Sequence, residues 1–251
     1  PMILRRLTKH MKDQNWFAVG LDFSIVVLGI LIAFQITNWS AARQDNLIYE
    51  QARARVIEEA NTNLVLSQNA IRRVVDQKNQ AFEILRDFET CSAENGAEGR
   101  FMRAMQTLRL IVGLNVRRDA INQILTSDAF LDNITPEDRT TLSAYLRRVD
   151  NVAENSRFSD SFYGNRPPPQ DNPIFQRTLD GDFSGGLAKI ALTVSYEEAC
   201  QDTALNQFLF DRLENGAYIT SLASSLAEGS REVLIGLGES PPETPEAEPA
   251  P

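Results

Sequence analysis

The chain has 251 residues, 43 % of them hydrophobic and 24 % charged, an ordinary globular balance with a net charge of −9. In the first 15 positions Arg5, Arg6, Lys9 and Lys12 stand against Asp13 alone, so everything that follows sums to −12. Such an acidic body argues against nucleic acid as a partner, because gripping phosphates takes a basic surface.

The basic tail, residues 1–15, leads into "NWFAVGLDFSIVVLGILIAFQITNW". From Phe17 to Phe34 only Asp22 and Ser24 interrupt the apolar run. That length matches a membrane-spanning helix, which needs about 20 predominantly apolar residues. Trp16 and Trp39 bracket it at roughly 34 Å of helix, near the separation of the two aromatic belts of a bilayer. A soluble core helix is seldom apolar all round. Ser40-Ala41-Ala42 offers small residues to a signal peptidase, but signal cores run about 7 to 15 residues and rarely hold an acid. The expectation is therefore a permanent anchor over residues 16–39. Only Arg43 follows the span closely, so the positive-inside rule puts the tail in the cytoplasm. The body then faces outward, into the periplasm if the membrane is the inner membrane of a Gram-negative bacterium.

Asp22 lies about one and a half turns inside the span, where a charge is costly but tolerated. It shares a helix face with Val26, Gly29 and Ala33. Two readings fit that face. Gly29 and Ala33 form a small-xxx-small pair on which a second helix can seat closely; or small residues are incidental and Asp22 meets water where the bilayer thins.

From Ala41 to Phe88 there is neither Pro nor Gly. Ile57, Ala60, Leu64, Ser67, Ile71, Val74, Ala81, Leu85 and Phe88 recur at steps of three and four, which predicts one long helix continuing from the span as a stalk. Ser67 and Lys78 weaken the seam, so an amphipathic bundle helix is preferred over a coiled coil. "ETCSAENGAEGR" ends it, and shorter helices are expected over about 101–113 and 118–125. Thr135 as N-cap, Pro136 at the first position and Glu137-Asp138 in the first turn open another, to about Asn155. "FYGNRPPPQDNPIFQRTLDGDFSGGLAK" is expected as an extended loop without strands. A last helix spans about 202–237, with Leu205, Phe208, Ile219, Leu222, Leu226, Val233 and Leu237 along one side. The acidic, proline-rich stretch 238–251 is expected to be disordered. The fold class is all-α: one transmembrane helix running into a stalk, and residues 40–237 forming an antiparallel helical bundle.

Only two cysteines exist, Cys91 and Cys200, each at the end of a long helix. In an oxidising compartment they are expected to pair, closing a loop of about 100 residues; the alternative is two buried thiols. The sole histidine, His10, falls in the basic tail, so no imidazole base, triad or His-ligated metal site is expected in the body. The acid pairs Glu58-Glu59 and Glu197-Glu198 are expected to be solvated. Asp180, Asp182 and Ser184 begin like a calcium loop, but its twelfth position is Ala191 rather than Glu. A turn is preferred there over a weak calcium site. No cofactor is expected.

"QNWFAVGLDFSIVVLGILIAFQITNWSAAR" and, more loosely, "INQILTSDAFLDNITPEDRTTLSAYLRRV" resemble a family of uncharacterised bacterial single-pass membrane proteins. That family has a "Q-x-x-NW…R" signature at the end of its span, matched here by Gln35, Asn38, Trp39 and Arg43. Its "L-x-S-G-x-L-x-x-I" stretch is resembled from Leu125 to Ile134, with Asp128 where glycine is usual. The resemblance implies the anchor and helical body and no activity. The function expected is a non-enzymatic interaction protein whose partners are membrane lipids and other membrane proteins, or a second copy through the span. The alternative is a periplasmic bundle that senses a ligand and signals through a partner.

Overall fold

The computed structural model describes residues 16–131, 133–166, 169–178 and 189–242. The chain divides into two compact units, residues 1–51 and 52–251, and one helix of 73 residues, α1 (Trp16–Phe88), contributes to both. The fold is predominantly helical. Its remaining elements are α2 (Ala97–Leu108), α3 (Asp119–Thr126), α4 (Asp128–Leu131), α5 (Pro136–Gly164), β1 (Phe175–Thr178), β2 (Lys189–Leu192), α6 (Tyr196–Ala199) and α7 (Thr203–Gly236).

In the second unit, α1 buries Val56, Ala60, Asn63, Leu64, Ser67, Ala70, Val74, Ala81, Ile84 and Phe88. These positions repeat with a seven-residue period, as a helix seam requires. A third of the expected stripe is displaced by one residue: Ile57, Ile71 and Leu85 are only half-buried, and Val56, Ala70 and Ile84 take the centre. Ser67 does not weaken the seam, because its hydroxyl donates to the Asn63 carbonyl at 2.6 Å.

The segment between α2 and α3 runs without regular structure and draws its hydrogen bonds from helices. Leu114 N–H donates to Ser156 Oγ at 3.0 Å, and Asn63 satisfies both backbone groups of Arg117. Arg118, the N-cap of α3, makes no side-chain cap. Glu59 supplies it from another element: its carboxylate accepts from Ala120 N–H at 2.8 Å and Ile121 N–H at 3.2 Å. The expectation that Glu58-Glu59 is a solvated pair is therefore corrected, since Glu59 is buried and occupied. Glu197 and Glu198 are both exposed, as expected of a solvated pair, and Glu198 forms a reciprocal capping box with Ser195 at the start of α6.

Thr135 caps α5 as its sequence requires, accepting from Asp138 N–H at 3.0 Å ahead of Pro136. The helix outruns its expected end by more than two turns and stops at Gly164, shortly before the prolines that forbid continuation. α2 begins one turn earlier than expected and ends earlier, at Leu108. Asp202 caps α7 through Leu205 N–H at 2.7 Å. At its other end Gly238, at φ +78°, closes a left-handed stop in which Glu239 N–H reaches Leu234 C=O and Gly238 N–H reaches Ile235 C=O, both at 2.9 Å.

The stretch expected as loop contains a two-stranded antiparallel ribbon, with Phe175 opposite Leu192 and Thr178 opposite Lys189. Four residues per strand are too few for a period of two to stand out. What holds the ribbon is the burial of Phe175 and Ile190 in an apolar cluster with Phe88, Phe101, Met105, Leu108, Tyr196 and Leu209.

α5 and α7 pack closely against each other, and their contacts run in opposite order along the chain. Thr141 meets Gly236, and Arg148 crosses Gly229 to pair with Glu228 and Glu232 at 3.1 and 3.3 Å. Further along, Tyr218 donates to Asn155 at 2.9 Å and Ser159 to Asn215 at 2.6 Å. Glycines at 229 and 236 allow the approach. α1 meets α7 where Arg53 donates to the Leu237 carbonyl and where Val74 and Lys78 close on Gly216.

Candidate functional site

Among the described residues one helix is long and apolar enough to cross a membrane. From Phe17 to Phe34 the described side chains are exposed except Val27, which is half-buried. They include Phe23, Ile25, Leu28, Ile30, Leu31, Ile32 and Phe34. Hydroxyls on this segment bond inward: Ser24 Oγ donates to Gly20 C=O at 2.8 Å and Thr37 Oγ1 to Ala33 C=O at 2.9 Å. Asp22, Val26, Gly29 and Ala33 are all exposed, and a Cβ built on Gly29 would meet nothing within 4 Å. α1 starts at Trp16, while Trp39 lies outward with the Arg43 guanidinium 5.7 Å from its ring centroid. The basic tail, His10 and the candidate calcium residues Asp180, Asp182 and Ser184 lie outside the described residues. Among the described residues no group of three or more His, Cys, Asp or Glu is arranged to hold a metal.

Cys91 and Cys200 are joined by a disulfide with Cα atoms 5.8 Å apart. Each is delivered by local structure. Cys91 follows α1 in a left-handed conformation, φ +47°, which turns the chain back; Cys200 is the C-cap of α6, with its N–H on the Tyr196 carbonyl. An aromatic cluster frames the bond: Phe88, Phe101, Tyr196 and Phe175 stand with ring centroids 5.6 to 6.1 Å apart. Asp87 clamps α1 to α2 by accepting from Arg100 Nη2 at 2.7 Å and Nε at 3.1 Å.

A cleft of about 290 Å³ lies where the end of α2, the end of α5 and the early turns of α7 converge. Arg109 is the C-cap of α2, Tyr163 and Arg166 close α5, and Phe208, Asp211 and Arg212 descend from α7. Three arginines thus face one cavity in an otherwise acidic chain. Asp211 is buried and satisfied twice, by ion pairing with Arg166 and by Gln207 Nε2 at 2.9 Å. The Arg166 guanidinium also covers the rings of Phe162 and Tyr163, at 4.8 and 5.4 Å.

Arg212 differs. Its guanidinium lies over the Phe208 ring at 4.8 Å, and among the described residues no carboxylate pairs with it. Burial pulls its pKa down to about 10, only partly offset by Tyr163. Burial likewise pushes the Tyr163 phenol up, helped by the nearby charge of Glu214. The arrangement can receive a negative charge against an apolar wall.

None of these cleft residues stands out in a reading of the sequence by motifs. They come from three elements far apart in the chain. One local signal does exist, the spacing F-x-x-x-R at Phe162–Arg166 and again at Phe208–Arg212, which puts an arginine over an aromatic ring one helical turn away. Compared with protein families, curated proteins and solved structures, the chain finds no match.

Proposed function

We propose that this is a non-enzymatic, membrane-anchored interaction protein, an accessory subunit or scaffold of a larger membrane or envelope complex. In this reading residues 16–39 cross a bacterial inner membrane, the basic tail stays in the cytoplasm, and residues 40–237 stand in the periplasm as an antiparallel helical bundle on a stalk. The observation that carries it is the exposed apolar surface on every side of α1 between Phe17 and Phe34, with the hydroxyls of Ser24 and Thr37 returned to the helix. Water would make that surface unfavourable, whereas hydrocarbon favours it and demands the internal hydrogen bonds. The disulfide supports an oxidising compartment for the body. The resemblance to single-pass proteins with the Q-x-x-NW…R signature, matched at Gln35, Asn38, Trp39 and Arg43, points the same way. The face formed by Asp22, Val26, Gly29 and Ala33 is the surface on which another span, from a partner or a second copy, would pack.

The test is extraction and topology together. Carbonate at high pH should leave the full chain in the vesicle pellet, and protease added to spheroplasts should digest the body while sparing a tag placed on residue 1. Release by carbonate, or protection of the body, would remove the reading. Purification in mild detergent should bring down a second membrane protein or a dimer; a strictly monomeric chain without partners would overturn the scaffold role.

A further inference from the structure

We propose that the arginine cleft between the ends of α2 and α5 and the early turns of α7 binds a small organic carboxylate with an apolar, preferably aromatic, body. The argument starts from a contrast inside the cleft. Arg166 and Arg212 have the same local setting, each over a phenylalanine one turn before it. Arg166 also has a buried carboxylate, Asp211, and so its charge is answered within the protein. Arg212 has an aromatic face and, among the described residues, no acid. Where other half-buried arginines bridge elements, an acid meets them: Arg148 lies between two glutamates of α7, and Arg100 is held by Asp87. A half-buried guanidinium left without an anion beside a cavity is better explained by a ligand that brings one than by packing alone.

The chemistry of that ligand follows from the walls. Arg212 offers a planar fork that matches two carboxylate oxygens, and Tyr163 lines the same cleft and adds a hydroxyl. Phe208, beneath the Arg212 guanidinium, and Ile111 and Pro169 give the same cleft an apolar lining. A bare ion would leave that wall uncovered. A cleft of about 290 Å³ suits a metabolite-sized molecule and is too small for a folded partner. The site is built entirely from the second unit, so the inference stands whether or not the apolar segment of α1 lies in a bilayer.

The experiment uses the full chain purified in mild detergent and three probes: benzoate, its neutral analogue benzamide, and inorganic phosphate, each followed by calorimetric titration and thermal shift. Saturable benzoate binding in the sub-millimolar range is expected, with benzamide and phosphate each at least tenfold weaker. Arg212→Gln should weaken benzoate by about ten- to a hundredfold, the range for losing a charge-assisted pair. Tyr163→Phe should weaken it several-fold, and Arg177→Gln, on the exposed ribbon, should leave it unchanged. Absence of saturable benzoate binding overturns the proposal. So does equal binding of benzamide, tighter binding of phosphate, or unaltered affinity in a folded Arg212→Gln protein. Should Arg212→Gln fail to fold, the comparison of benzoate with benzamide on the unaltered chain still decides.

Discussion

Asn63 holds both backbone polar groups of Arg117. Its Oδ1 accepts from the Arg117 N–H at 2.9 Å and its Nδ2 donates to the Arg117 carbonyl at 2.7 Å, as a strand neighbour would. The same Nδ2 donates to the Tyr145 hydroxyl at 2.9 Å. One fully buried amide on α1 therefore ties together a segment without regular structure and helix α5. Asn63→Ala should destabilise the body by about 1–3 kcal/mol, because the buried Tyr145 phenol and two part-buried backbone groups of Arg117 lose a partner. Asn63→Asp should cost a comparable amount, since it keeps the acceptor and loses the donor. Urea unfolding followed by circular dichroism measures both.

Glu59 gives the body a pH dependence of defined sign. Burial, with the adjacent Asp119 charge, raises its pKa above the ordinary value of 4.5, against the lowering effect of the backbone N–H groups it accepts from. A carboxyl whose folded pKa is raised contributes its full stabilisation below the unfolded pKa and loses it as pH rises through the folded value. The difference in stability between the unaltered protein and Glu59→Gln should therefore shift in favour of the unaltered protein as pH falls from 7 toward 4. Urea midpoints for the two proteins at pH 7, 6, 5 and 4 report it. A difference that is flat, or that moves the other way, would remove Glu59 as the source. Glu59→Ala should also fray α3, whose N-terminal donors have no cap of their own.

The parts of this fold that were legible in its sequence are those where the signal is local. Thr135-Pro136 opens α5, Asp202 opens α7, and of the seven apolar positions expected along α7 all except Phe208 are buried. Where partners are distant, local reading fails. The seam of α1 differs because Ile57-Val56, Ile71-Ala70 and Leu85-Ile84 are adjacent apolar pairs, so spacing alone fits either member, and the structure buries Val56, Ala70 and Ile84. Glu59 looks like half of a solvated pair until α3 arrives with unsatisfied N–H groups. The ribbon is invisible because Phe175 and Ile190 are held by a cluster assembled from α1, α2 and α7. The arginine cleft was missed for the same reason: Arg109, Arg166 and Arg212 are distributed over three elements, and only folding makes them neighbours.

The disulfide should be a strong constraint. It joins residues 109 apart in sequence, and cross-linking a loop of that length removes much of the freedom of the unfolded chain. Replacing Cys91 and Cys200 by serine should lower stability by about 2–5 kcal/mol. Reductant should lower the urea midpoint of the unaltered protein toward that of the variant and leave the variant itself unmoved. The loss should be felt first at the aromatic cluster of Phe88, Phe101 and Tyr196, so hydrogen exchange there is expected to rise more than at the α5–α7 contact.

The two glycines that let α7 approach α5 should respond differently to the same substitution. A Cβ at Gly229 would stand 2.5 Å from Arg148 Cδ, part of a long side chain whose ion pairs with Glu228 and Glu232 are partly solvated. Arg148 can swing aside, losing contacts worth about 0–1 kcal/mol, while alanine gains about 1 kcal/mol of helix propensity. Gly229→Ala should therefore leave stability unchanged or raise it by up to about 1 kcal/mol. At Gly236 the Cβ would meet Thr141 Cγ2 at 2.7 Å, on a β-branched side chain with little rotamer freedom in a helix. The position is also the last of α7, where helix propensity counts for least. Gly236→Ala should destabilise by about 1–2 kcal/mol through overpacking. Thr141→Ser removes the offending methyl, so the double variant should recover most of that loss. A double-mutant cycle in urea measures the coupling, and additive effects would mean that Thr141 is not what Gly236 accommodates.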